Sequence, residues 1–208
     1  MENLKIKIQN FNKVFRKDFE HYCLKILDDD LEASKALMAS RFANAFPQEL
    51  KAFYEKLGGV KTDFDFAESF AVHIPTLKTL TTNLGKEGKY DTLVSMGLID
   101  QIMFSWGNDR WEFEEEIAVE HRNFLNENYR CFGFYRYDHG LNAAYYLYFD
   151  KAGKFGEIHY DQDSFEELWA DTLKPMLLKS PATENLEAML CRILARLEIG
   201  IREREEIA

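Results

Sequence analysis

The residues best placed to do chemistry are His159, Asp161 and Asp163, in the run His-Tyr-Asp-Gln-Asp. Residues two apart on a strand project from one face, so this spacing offers an imidazole and two carboxylates to a divalent ion. A metal-dependent hydrolase would use such a set to activate water. No fourth ligand is evident, however, and closed metal sites usually have four. Each residue also has an ordinary use: His159 on the surface of a strand, Asp161 at its exit, and Asp163 capping the helix that follows. The structural use is the simpler one. Asp138-His139 has the make-up of an acid–base pair but falls where a hairpin turn is expected. Cys131 lies among aromatic residues with Arg130 as its one cationic neighbour, which suits a buried thiol better than a nucleophile.

Catalytic signatures recognisable by spacing are missing. There is no Gly-x-Ser-x-Gly, no Gly-x-Gly-x-x-Gly, no phosphate loop ending in Gly-Lys-Ser/Thr, no His-Glu-x-x-His and no Cys-x-x-Cys. Gly85-Lys86-Glu87-Gly88-Lys89 has the composition of a nucleotide loop with the wrong spacing, and is better explained as a polar turn. No catalytic residue, metal or cofactor is expected.

The acids are more informative. Residues 109–120 hold six, among them Asp109, Glu112, Glu114 and Glu116, against Arg110 alone. Residues 155–173 hold six more, among them Glu157, Asp161 and Glu167, with no Lys or Arg. Helix N-termini account for about two or three of these. The rest, if solvated together, make a negative field that suits a basic protein partner. Trp111 lies inside the first stretch, with Trp106 and Tyr129 near it. Buried aromatics dominate interface energetics, so Trp111 joins the acids as an expected partner-binding residue, although such residues serve equally well as core.

These candidates must be held by regular elements. Phe11, Val14, Phe15, Phe19, Tyr22, Cys23 and Ile26 follow helical spacing after a possible cap at Asn10. Asp29 and Glu32 then restart a second helix carrying Leu31, Leu37, Met38, Phe42 and Ala45. Pro47 opens a third, with Leu50, Phe53, Tyr54 and Leu57 inward, closed by Gly58-Gly59. Val60, Thr62, Phe64 and Phe66 alternate as a strand does, as do Phe70, Val72 and Ile74. Lys78 to Tyr90 reads as a polar loop, and Leu93, Val94, Leu98, Ile99, Ile102 and Met103 as a helix. The first acidic stretch predicts a short helix reaching Asn126, with Ile117, Phe124 and Leu125 inward.

The clearest pattern follows. Residues 129–137, 142–149 and 155–160 are rich in Tyr, Phe and Leu and are separated by turn sequences, which predicts an antiparallel three-stranded meander. Eleven of the 32 residues from Tyr129 to Tyr160 are aromatic, a core-forming density. Asp163 and Glu166 then start a helix with Phe165, Leu168, Trp169, Leu173 and Met176 inward, and Ser180-Pro181 opens the last one. The sum is a single α+β domain: an antiparallel sheet whose C-terminal meander is packed by helices. It divides into an N-terminal helical extension (1–46), a core (47–178) and a C-terminal helix (180–208).

Composition sets the boundaries. The 208 residues carry 36 acidic and 26 basic side chains, a net charge of -10, so a general affinity for nucleic acid is not expected. The opening residues lack the h-region of a secretory signal, and no apolar run approaches the roughly 20 residues that span a bilayer. Cys23, Cys131 and Cys191 are odd in number and lie on apolar segments, which suits a reducing cytoplasm. The oligomeric state leaves no mark on the sequence.

Two blocks resemble a known group. Pro47-Gln-Glu-Leu-Lys-Ala-Phe-Tyr-Glu-Lys-Leu-Gly-Gly59 is similar to the opening of the SUKH superfamily, which includes bacterial toxin-immunity proteins and fungal cell-wall regulators. Tyr146 to Tyr160, followed by Asp161-Gln-Asp-Ser-Phe-Glu-Glu-Leu, looks like the strand, glycine turn, strand and Phe-bearing helix that close such domains. The sequence adds about 45 residues before Pro47 and has no evident glycine-rich central strand. The resemblance implies a non-catalytic α+β binding module that neutralises a partner by docking on it, and it carries over no catalytic residue. A cytoplasmic immunity protein against a basic, nuclease-type toxin domain is therefore expected. The alternatives are the hydrolase built on His159, Asp161 and Asp163, and an intracellular regulatory scaffold with a native partner.

Overall fold

The computed structural model of the protein describes residues 1–14, 23–27, 32, 35, 46–62, 71–83, 96–105, 110–136 and 143–205. Six strands form one sheet in the order in which they occur, every neighbour antiparallel: β1 (Leu24–Ile26), β2 (Val60–Thr62), β3 (Ala71–Ile74), β4 (Tyr129–Arg136), β5 (Ala143–Asp150) and β6 (Phe155–Asp161). The expected meander is present, and its strands differ by a residue or so from the sequence reading. Aromatic and β-branched side chains favour this pleated, half-buried setting, and the turn after β5 closes with Gly153 at φ 74.

Helices cover both faces. Tyr135, Tyr145 and His159 lie side by side across β4, β5 and β6, so their neighbours Phe134, Tyr146 and Ile158 project from the opposite face. Over the first face runs α9 (Leu186–Glu205), whose Arg196 reaches Tyr135. Beside it lie α1 (Glu2–Val14) and α2 (Gln48–Leu57), which bury Leu4, Ile8, Leu50 and Phe53 against the sheet and α9. The second face packs α4 (Leu98–Ser105), α5 (Arg110–Glu115) and α6 (Val119–Asn128). The chain between β6 and α9 is helical in three parts: α7 (Phe165–Glu167), a wider π-helical turn (Leu168–Leu173) and α8 (Lys174–Met176). A further helix, α3 (Leu77–Asn83), follows β3.

Several expectations are corrected. Residues 11–26 do not form one helix: α1 ends at Val14 and Leu24 to Ile26 is a strand. Asn10 lies inside α1, and it is Asn12 that joins the two elements, donating to Leu24 O and accepting from Leu24 N, both at 2.8 Å. β1 belongs to the sheet, and Leu4, Ile8 and Phe11 of α1 are buried in the core. Lys78 to Asn83 is helical, not a loop; residues 84–90 of that expectation lie outside the described residues. The expected helix from Leu93 begins at Leu98, because Gly97 bridges to Arg130. The acidic stretch forms two helices, broken at residues 116–118, and Phe124 is exposed rather than inward.

The C-terminal region also differs. Asp163 takes φ 66 in a turn and no side chain caps α7. The last helix starts at Leu186 instead of Ser180, because Ser180 donates to Asp150 Oδ2 at 2.6 Å and Glu184 pairs with the backbone of Phe155. Asn185 supplies the cap, accepting from Ala188 N at 2.8 Å. The expected second helix, Phe64, Phe66, Phe70, Trp106, Asp109, the Gly85–Lys89 turn and Asp138-His139 lie outside the described residues, except for Glu32 and Lys35, both helical.

Candidate functional site

The possible metal triplet is dispersed by its surroundings. The His159 ring rests on Tyr145, centroids 4.5 Å apart, and Asp161 and Asp163 are exposed at the strand exit and in the turn. Among the described residues no three His, Cys, Asp or Glu side chains come together as metal ligands would. Cys131 is fully buried, and burial pushes its thiol up to about 12, so it stays protonated near neutrality. Its Sγ lies 3.5 Å from Gly133 O.

Glu157 is not a free acid for a partner. Its Oε1 accepts from Arg192 Nη1 at 3.0 Å and Arg196 Nη1 at 2.9 Å, and its Oε2 from the Tyr135 hydroxyl at 2.8 Å. Arg196 also donates to the Tyr135 oxygen at 2.6 Å and lies 5.4 Å from the Tyr145 ring, while Arg192 reaches on to Glu184 at 3.0 Å. Burial, with the Glu157 carboxylate adding to it, raises the Tyr135 phenol well above its usual range, so the hydroxyl remains a donor. This cluster ties α9 to β4 and β6. Nothing in a one-dimensional sequence places Arg192 and Arg196 over Glu157, which is why it looked unpaired.

The other acids are brought together by one side chain. Phe113 of α5 is buried edge-on against Tyr160 of β6 and Phe165 of α7, with centroids 5.6 and 4.9 Å apart. The two acidic stretches, distant in sequence, thereby become neighbours on the protein surface. On the α5–α6 side Glu115, Glu116 and Glu120 are exposed and Glu112 half-buried; Glu114 is exposed but accepts from Arg110 Nε at 2.8 Å. On the other side Asp161, Asp163, Glu166, Glu167 and Asp171 are exposed. The π-helical turn buries Leu168 and Leu173 and holds Trp169 half-buried, its ring 6.1 Å from His121 of α6.

Apolar side chains are exposed as well, Trp111 and Val119 within the first acidic stretch and Leu178 next to Lys179. Trp111 is 55% exposed, Val119 57%, Phe124 41% and Leu178 92%. Phe124 and Leu178 edge an open groove of about 260 Å³ that also touches Tyr129, Asp150 and Ser180. Tyr129 itself is core: it is buried, and its hydroxyl donates to Met176 O at 2.7 Å. Trp111, expected to bind a partner, is exposed; Val119 and Leu178 were not singled out by the sequence and Phe124 was expected inward, since exposure of an apolar residue is set by what packs over it.

Such a surface, rich in exposed carboxylates and carrying exposed apolar groups, can attract a cationic macromolecule and exclude water from parts of the contact. Among the described residues no helix is long and apolar enough to cross a membrane. Comparison with protein-family models, with curated proteins and with solved structures finds no match.

Proposed function

We propose that the protein is a non-catalytic binding module of the SUKH type, a cytoplasmic immunity protein that neutralises a basic, nuclease-type toxin domain by docking its acidic surface on it. The observation that carries this reading is the Phe113 junction, which packs the acid-bearing α5 against β6 and α7, whose Asp161, Glu166 and Glu167 are also exposed. An antiparallel sheet with helices on both faces is in keeping with the resemblance of its sequence blocks. A field of this sign speeds the encounter with a cationic partner and sits where nucleic acid would otherwise sit on that partner. Glu112, Glu116, Asp161 and Glu167 supply charge, and Trp111 an apolar anchor.

The test is co-purification with the product of the adjacent gene, and rescue of cells that express it. Glu116→Lys with Glu167→Lys weakens the complex about tenfold or more at low salt and less at high salt. A neighbouring basic domain that neither binds nor is neutralised overturns the proposal.

A further inference from the structure

Among the described residues β6 is an edge strand, with β5 on one side only. Its outward row of backbone groups begins at Phe155, which exchanges hydrogen bonds with Glu184 at 3.0 and 3.3 Å and so points away from β5. Direction alternates along an antiparallel strand, so the amides and carbonyls of Glu157 and His159, and the amide of Asp161, point outward as well. The carbonyl of Asp161 is taken by Ser164, through its amide at 3.1 Å and its hydroxyl at 2.6 Å. Between Phe155 and that turn, the outward groups have no partner among the described residues.

Natural sheets close such edges with proline, lysine, a bulge or a covering segment. Here the covering segment stops at Glu184, and no Pro, Lys or Arg occurs from Phe155 to Leu173. The side chains flanking the open edge, Asp161, Asp163, Glu166 and Glu167, are exposed acids. A second copy of this chain is a poor occupant. Each copy carries a net charge of -10 and the same exposed acids beside this edge, so two such edges repel.

From this edge we infer that the protein's basic partner docks by strand addition, laying an extended Lys- or Arg-bearing segment along Glu157–Asp161 as a seventh strand. Main-chain bonds hold the segment, and its basic side chains meet the acids beyond His159. The inference rests on the reading of the protein as a module for a basic partner.

The experiment uses the full chain, labelled with 15N, and a capped synthetic heptapeptide of alternating lysine and valine at low salt. Saturable shifts and slowed amide exchange at Glu157, His159 and Asp161 are expected. His159→Pro removes one outward amide that bonds nothing in the sheet, a place where proline is tolerated. It weakens peptide binding about tenfold or more, as loss of a main-chain bond and its register requires, whereas His159→Thr does not. Should His159→Pro fail to fold, the exchange pattern of the unsubstituted protein decides. Absence of saturable binding, binding without protection at the β6 amides, or a free dimer that His159→Pro dissociates would each overturn strand addition. A basic toxin domain bound equally well by His159→Pro refutes the edge and leaves the proposed function standing. Peptide addition at β6 without any bound basic domain refutes the proposed function and leaves the edge.

Discussion

Removing the Glu157 carboxylate should destabilise the fold, because this acid holds elements together. Its side chain is 16% exposed and accepts three hydrogen bonds, two from guanidinium groups and one from the buried Tyr135 hydroxyl. A hydrogen bond to a charged group contributes about 1.5–3 kcal/mol, and a buried hydroxyl that loses its acceptor costs about 1–3 kcal/mol. Arg192 and Arg196 are 36% and 32% exposed, so once released they regain water, and the ionic part is discounted heavily. Glu157→Ala should therefore cost about 2–4 kcal/mol, with Glu157→Gln costing less because its amide oxygen still accepts from Tyr135. Tyr135→Phe alone should cost about 1 kcal/mol, and the double mutant should show a coupling of about 1 kcal/mol. Urea unfolding at constant slope reads each value from the midpoint. A loss below about 0.5 kcal/mol for Glu157→Ala, with additive effects, would show that the cluster is an idle surface network and refute the reasoning.

Three further outcomes are expected. Asn126 of α6 caps α4 across the fold, accepting from Ile99 N at 2.8 Å and Asp100 N at 3.1 Å, so Asn126→Ala should lower stability by about 1–2 kcal/mol. A Cβ at Gly97 would sit 2.7 Å from Asn126 Oδ1; Gly97→Ala should therefore be clearly destabilising alone and less so in the Asn126→Ala background, as measured by thermal unfolding. Cys131 should resist a disulfide reagent at pH 8 until the protein unfolds, while the half-buried Cys23 and Cys191 react first. Native-state labelling of all three thiols in one phase would contradict the burial of Cys131.

The legible part of the fold was the part with short-range causes. The meander from Tyr129 to Asp161 declares itself by aromatic density and turn residues, and α2 by Pro47 and by Gly58, which adopts φ 67 and donates from its amide to Tyr54 O at 3.0 Å. The N-terminal region misled because its apolar residues repeat at helical spacing as far as Ile26, which lies in a strand. Strand β1 exists through pairing with β2, a contact that periodicity does not encode. Likewise Ser180 looked like a cap, but it is occupied by Asp150, and the helix waits for Asn185.

At the candidate site the division is similar. The α+β class, the two acid-rich stretches, the aromatic meander and the lack of recognisable catalytic spacing follow from composition and period, which are local properties. Which acids face solvent depends on packing: the fold neutralises Glu157 with two arginines from α9 and leaves Asp161, Glu116 and Glu167 exposed. Packing also joins the two separate stretches through Phe113 and leaves Val119, Phe124 and Leu178 exposed. The reason is physical. Charge and hydropathy belong to residues, whereas pairing and exposure belong to what the rest of the chain brings against them.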